Sequence, residues 1–420
     1  MTLGTEAAAA VLCGLGFAPL RVAVFCLVLN TIPVTFGAMG TPVWFGLSLL
    51  SLPETTLMAS ARYAAIINTI IAPVIVFIAL RLVLPSWQQI IRNSVFIVLA
   101  TFACTLPYLV LSFFSVEFPS LLGGFIGLML SLLLAWFGIG LSGKDDEEDA
   151  TAASSEEGAM PSVGDLLKAT FPLWGTILLL ILTRLPDLGL KGLLQATEPN
   201  ISVSLGALGQ LTVSASLVVT LAGILDTTTQ WRHSVLYVPS ILPFIVIAVA
   251  SVYSFGISTF RARMSVICVQ TVSRMRSPFF ALLGALVFVN MMMLGGETSS
   301  VSLIGQHLAA LAGDNWSLFA PLLGALGSFF SGSATISNLT FAGIQQAIAG
   351  QLSLPLAVTL ALQSVGAAMG NMVCINNIVA VTAILGLQNQ DGTILKRTAL
   401  VLIAYAAMAG SLGVILVNTI

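Results

Sequence analysis

The sequence predicts an all-α polytopic membrane protein, and three observations carry that reading. Of 420 residues, 57% are hydrophobic and only 8% are charged, where soluble domains carry roughly 25% charged residues. The mean hydropathy is +1.04. The few charges are also spaced so widely that the stretches between them reach the length of a spanning helix, about 20 mostly apolar residues. The net charge is −2, but seven of the 17 acidic residues crowd between Asp145 and Glu157, leaving 10 acidic against 15 basic elsewhere. The balance therefore identifies no partner other than the lipid bilayer. A secreted disulfide scaffold, a nucleic-acid binder and an ordinary soluble enzyme are excluded.

Taken in order, the uncharged stretches run 32 residues from Arg21 to Glu54, 24 from Arg92 to Glu117 and 26 from Glu117 to Lys144. They continue with 28 from Arg232 to Arg261, 20 from Arg276 to Glu297 and 76 from Asp314 to Asp391, and the 23 residues after Arg397 are uncharged too. Single spans are expected at 63–84, 93–115, 119–141, 169–186, 236–256, 278–296 and 398–418. Residues 5–52, 199–225 and 315–388 are apolar but studded with Gly, Pro, Ser, Thr and Asn, so broken or re-entrant helices are expected there. Such backbone is tolerated at membrane depth only where protein or a water-filled cavity surrounds it. Arg261, Arg263, Arg274 and Arg276 share one short connection without an acidic residue, which places that loop in the cytoplasm. The segment 142–165 is acidic, aperiodic and rich in small residues, as a linker is. It divides the chain into an N-terminal membrane half, 1–141, and a C-terminal one, 166–420.

Catalytic and metal motifs do not emerge. The five cysteines are scattered without a CxxC pair, there are two histidines, and GxxxxGK[ST], HExxH and GxSxG are absent. No enzyme, cofactor or metal site is expected. The Trp residues, Trp87 and Trp316 among them, suit interface anchoring.

The densest polar string in apolar surroundings is Gly327 to Asn338, with Ser328, Ser331, Ser333, Thr335 and Ser337. Hydroxyls and glycine at the opening of a half-helix leave N–H groups and a positive dipole end aimed at one spot, which suits a carboxylate. The competing explanation is that small residues merely let helices pack closely. A second cluster, Gln363 to Asn377, brings Asn371, Asn376 and Asn377 to a presumed break. A third, Asn30-Thr31-Ile32-Pro33 followed by Gly37-Ala38-Met39-Gly40, matches Ala367-Ala368-Met369-Gly370 weakly. Paired interrupted segments point to a two-half transporter architecture with its site near the bilayer midplane.

FFSGSATISNLTFAGIQ at 329–345, preceded by PLLGALG at 321–327, resembles the signature of the L-lactate permease family, close to FLTGS(N/D)TSSNALFGALQ. GLGFAPLRVAVFCLVLNTIPVTFGAMGTPV at 14–43 is similar to that family's GLGFxPLxAAxxCLIxNTAPVAFGAxGxPI, and GAAMGNMVCINNIVAVTAILGL at 366–387 to its GGxxGxMISPQNIAVAxAAxGL. The resemblance covers essentially the whole chain. It implies a proton-coupled symporter for L-lactate, D-lactate and glycolate in the plasma (inner) membrane. Family members carry further spans and an EGxxGFG segment ahead of Gly4-Thr5-Glu6, so upstream helices are expected to be missing from the first half. Ala334 stands where relatives have Asn or Asp, and Cys374-Ile375-Asn376 where they have Ser-Pro-Gln.

The expected substrate site is therefore Ser331, Gly332, Ser333, Thr335, Ser337 and Asn338, with Asn371, Asn376, Asn30 and Thr31 contributing from the other interruptions. Intramembrane ionisable groups default to functional candidates, which nominates Glu297 first and His307 second for the proton. Two alternatives stay open: a sodium-coupled organic-anion carrier, its ion held around Asn30, Thr31 and Asn371, and a non-transporting membrane subunit or truncated carrier.

Overall fold

The computed structural model describes residues 2–141 except 38 and 85, residues 163–255 except 185–187, 224–226, 228–229 and 239–240, scattered positions between 264 and 295, and residues 298–419. The acidic linker up to residue 162, nearly half of the span read at 278–296, and Arg261, Arg263 and Arg274 lie outside the described residues. So does Glu297. The chain forms two compact units, one of residues 1–155 with 275–420 and the other of residues 156–274. Residues 300–419 thus share a body with the N-terminal segment across the sequence halves.

In the larger unit, helices α1 (Thr2–Gly14), α2 (Pro19–Leu29), α3 (Thr31–Val34) and α4 (Thr41–Trp44) take up the first interrupted stretch in short pieces. α5 (Glu54–Val83), the short α6 (Trp87–Arg92), α7 (Ser94–Ser112) and α8 (Pro119–Trp136) follow. α5 begins nine residues before the expected span because helix formation does not stop where the bilayer does: Glu54 sits in its first turn, where the helix dipole favours an acid. α7 and α8 pack on each other while Leu99, Leu106, Val110, Leu128 and Leu132 stay exposed, the outward apolar surface that lipid covers.

The smaller unit contains α9 (Val163–Arg184), α10 (Leu190–Leu194), four strands β1 (Asn200–Ser204), β2 (Gln210–Ser214), β3 (Val218–Ala222) and β4 (Gln230–Ser234), and α11 (Leu242–Phe255). The strands form an antiparallel meander in the order β1-β2-β3-β4. This corrects the re-entrant helix expected at 199–225: the segment alternates in side-chain character with period two, which a sheet satisfies and a helix does not. Five-residue strands in an open sheet cannot cross a bilayer, so the segment still leaves the chain on the side where it entered.

The longest uncharged stretch, returning to the larger unit, is broken as expected. After α12 (Ser300–Ala312) come α13 (Trp316–Ser331), α14 (Ala334–Gln351), α15 (Leu356–Gly370), a 3-10 turn at Asn371–Val373, α16 (Ile375–Ile384) and α17 (Asp391–Thr419). α15 is buried on every side from Val358 to Gly370. It can be, because it is apolar around its whole circumference apart from a few hydrogen-bonded groups. Its approach to α13 is as close as backbones allow: a Cβ on Gly366 would collide with the Pro321 carbonyl and one on Gly370 with that of Ala325. Among the described residues, five helices are long and apolar enough to cross a membrane: Glu54–Val83, Ser94–Ser112, Pro119–Trp136, Leu356–Val373 and Asp391–Thr419.

Candidate functional site

The break between α13 and α14 is built by two residues. Gly332 ends α13 in the left-handed region at φ 69°, which glycine enters without cost. Ser333 is extended, and its Oγ accepts the Ile336 N–H at 3.3 Å as the N-cap of α14. The Ser331 hydroxyl donates to the Gly327 carbonyl at 2.7 Å and accepts the Ser333 N–H at 3.2 Å, locking the turn. The Ser337 N–H returns to the Ser333 carbonyl. The N–H groups of Ala334 and Thr335 therefore have no acceptor within the helix, at its positive end. The Thr335 hydroxyl also makes no hydrogen bond among the described residues.

The other interruptions come to the same place. A Cβ on Gly332 would lie 3.2 Å from the Cys374 Sγ and 3.5 Å from the Asn377 Oδ1, so the 331–335 and 371–377 breaks face each other. Val34, at the end of α3, is buried in one small cluster with Ala334, Ala367 and Ala368. Ala334 thus completes an apolar contact between the three segments. Asn371 donates to the Ala367 carbonyl at 3.3 Å and accepts from the Asn377 amide at 3.0 Å. Gly37-Ala38-Met39-Gly40 and Ala367-Ala368-Met369-Gly370 do not share a conformation: Gly37 and Gly40 are left-handed at φ 63° and 64°, whereas the second tetrapeptide is helical.

Several expected residues serve the fold instead. Asn338 is fully buried, its amide donating to the Pro42 carbonyl at 2.8 Å and to the Ser364 hydroxyl at 3.2 Å, its carbonyl accepting from Gln363. Ser337 donates to the Gly324 carbonyl at 2.6 Å and accepts from Gln363 at 3.2 Å. Thr31 is buried and turns back to the Leu27 carbonyl. Asn376 is exposed and Asn30 half-buried. His307 is exposed on α12, its Nδ1 2.9 Å from the Leu303 carbonyl. Gly305, beside it, packs on Ala347, 13 residues beyond Ala334 and hence about 20 Å along α14 from the break. His307 is therefore not brought to the site.

Sequence reasoning missed two buried networks. In the first, Trp316 donates to Gln345 at 2.8 Å, Gln345 to Gln363 at 2.9 Å, and Gln363 closes onto Ser337 and Asn338. Trp316 is thus a core donor, not an interface anchor. In the second, the Asn68 amide donates to Thr35 at 2.8 Å and Tyr108 at 2.9 Å, and the Tyr405 hydroxyl donates to Asn68 at 2.7 Å. These bonds tie α5, α7 and α17 to the turn after α3. A lone Asn midway along an apolar helix was the available signal.

No solved structure matches the chain. A Haemophilus influenzae protein that carries L-lactate permease in its name is 42% identical over 97% of this chain and 75% of its own length. The L-lactate permease of Bacillus subtilis is 25% identical over 93% and 70%, and the glycolate permease of Escherichia coli 23% over 96% and 72%. The model of the L-lactate permease family matches residues 3–420, so all three interruptions and both buried networks fall inside the match, and the chain belongs to the L-lactate permease family.

Proposed function

We propose that the chain is a secondary active transporter, carrying L-lactate, glycolate or a similar small monocarboxylate in symport with protons across the plasma membrane. The observation that carries this reading is the half-helix start at Ala334. It offers two backbone N–H donors and the Thr335 hydroxyl beside a second break that holds Asn371, Cys374 and Asn377. Such a site binds a carboxylate through oriented donors without burying a fixed cation. Relatives named for L-lactate and glycolate support the substrate class. Ser331, Gly332 and Ser333 shape the cradle and Asn371 is placed for a substrate hydroxyl, whereas Ser337 and Asn338 support it from below.

No Asp, Glu, Lys, Arg or His is buried among the described residues. The proton then travels on the substrate carboxyl or on Glu297, the candidate kept for that role. The test is uptake of radiolabelled lactate and glycolate into proteoliposomes holding this chain alone, under an imposed pH gradient and, separately, a sodium gradient. Accumulation driven by the pH gradient is expected. Accumulation driven only by sodium would replace the coupling ion, and no uptake of either acid by folded protein would sink the carrier reading.

A further inference from the structure

The sheet of residues 200–234 is sorted by its register into two unlike faces. Cross-strand pairing aligns Ile201, Val213, Val219 and His233 in one row and Val203, Leu211, Leu221 and Trp231 in the next, all on one face. The opposite face carries the row Ser202, Thr212, Thr220 and Arg232, with Ser204, Gln210, Ala222 and Gln230 on one side of it and Asn200, Ser214, Val218 and Ser234 on the other, polar but for Ala222 and Val218. An antiparallel sheet with one solvated side ordinarily turns its apolar face to the core. Here the polar face is the one bonded to its own chain: the Ser214 hydroxyl donates to the Ala196 carbonyl at 2.7 Å and the Arg232 guanidinium to that of Gln195 at 3.2 Å. The apolar face is left uncovered, with Ile201 76%, Val203 52% and Trp231 50% exposed and Leu211, Val213, Val219 and Leu221 half-buried; on the other face Ser202, Ser204 and Arg232 are exposed as well, while Ser214 and Val218 are buried.

We propose that this sheet lies flat on the membrane, its apolar face seated in the boundary between lipid headgroups and acyl chains. Three observations select lipid as the occupant. The sheet is tethered at the bilayer surface, because only residues 235–241 separate β4 from the apolar α11. Its outward face carries no carboxylate, ammonium or guanidinium, so it matches an uncharged apolar phase and not a charged protein partner. At the edge strand, Trp231 and His233 stack with ring centroids 5.8 Å apart, an amphipathic aromatic pair of the kind that settles at headgroup level. Left in water, an apolar face of this extent would be unusual. Seated in lipid, it anchors residues 156–274 in the plane of the membrane.

The unmodified chain in phosphatidylcholine–phosphatidylglycerol vesicles, doped with a lipid bearing a photoactivatable group near its headgroup, tests this directly. Crosslinked adducts are expected on peptides carrying Ile201, Val203 and Trp231; their absence while the α7 and α8 peptides are labelled would overturn the proposal. Spin labels at Ile201→Cys and Val203→Cys against Ser202→Cys and Ser204→Cys, in a cysteine-free background, read the two faces separately. Collision with oxygen relative to a water-soluble nickel chelate should be several-fold higher at 201 and 203 than at 202 and 204. Equal access to nickel at all four positions would place the sheet in water. Shielding of 201 and 203 from both reagents, with spin–spin broadening, would mean that a second copy of the chain covers the face.

Discussion

Two polar regions lie side by side in the larger unit and treat their hydrogen bonds in opposite ways. In the network from Trp316 through Gln345 and Gln363 to Ser337 and Asn338, the side-chain groups are paired with one another or with backbone carbonyls inside the core. One turn away, at the break of residues 331–335, the helix start leaves N–H groups without an intrahelical acceptor and Thr335 without a partner among the described residues. A buried polar group left unpaired costs about 1–3 kcal/mol. Thr335 is half-buried, so its hydroxyl stays within reach of a ligand, and under the proposed function the break is where the substrate carboxylate docks. The difference separates residues that hold the backbone in place from those proposed to meet the substrate, although both come from one polar string.

The largest effect should come from the hinge of that string. Gly332→Val puts a branched side chain at φ 69°, where a non-glycine residue loses about 1–2 kcal/mol, and aims it at Cys374 and Asn377. Uptake should fall to background while the protein still inserts and elutes as a single species from a sizing column. Retained uptake would show that the meeting of the two breaks is not the site.

Next comes the paired region, which should respond in stability. Gln363→Leu strips donors from Ser337 and Asn338 and an acceptor from Gln345, all buried. A loss of about 1–3 kcal/mol for each group left unpaired should appear as a lowered melting temperature in detergent. At permissive temperature the KM for lactate should hold. A raised KM with an unchanged melting temperature would reverse the assignment of the two regions.

Thr335→Val is the matched test on the unpaired side. The swap keeps shape and removes one hydroxyl that has no partner within the described protein, so the melting temperature should stay where it is. A hydrogen bond to a charged group contributes about 1.5–3 kcal/mol, so KM should rise roughly tenfold or more, tenfold being 1.4 kcal/mol. An unchanged KM would remove Thr335 from the cradle.

How much of this was legible beforehand follows the range of the interactions. The break at Gly332-Ser333 is local chemistry, a left-handed glycine followed by a capping serine, and it can be read from neighbouring residues. The membrane class is compositional and is read more easily still. The roles of Ser337 and Asn338 could not be read, because they depend on partners such as Pro42, 296 positions away from Asn338. The pairing of Tyr405 with Asn68, 337 positions apart, is hidden for the same reason, although a lone Asn in an apolar helix is itself a signal. The sheet at 200–234 is hidden for a different reason. Its alternation is present in the sequence, but the apolar average over 199–225 masks the period-two pattern of Gln210-Leu211-Thr212-Val213-Ser214.

The smallest effect is the most discriminating, because it tests a single bond at the seam of the two regions. Asn338 has two amide protons, one on the Pro42 carbonyl at 2.8 Å and one on the Ser364 hydroxyl at 3.2 Å. Ser364→Ala removes only the longer bond. It leaves one proton unpaired in a site with no solvent exposure, so a cost at the lower end of the range, about 1 kcal/mol, is expected with transport intact. Asn338 is held by its other two partners and keeps the 41–46 segment against α14, where Gly46 already leaves no room for a Cβ beside it. If uptake fell steeply with the melting temperature unmoved, the Asn338 amide would be reaching the substrate through Ser364. The boundary between holding and binding would then have to be moved one helical turn into what is taken here as the core.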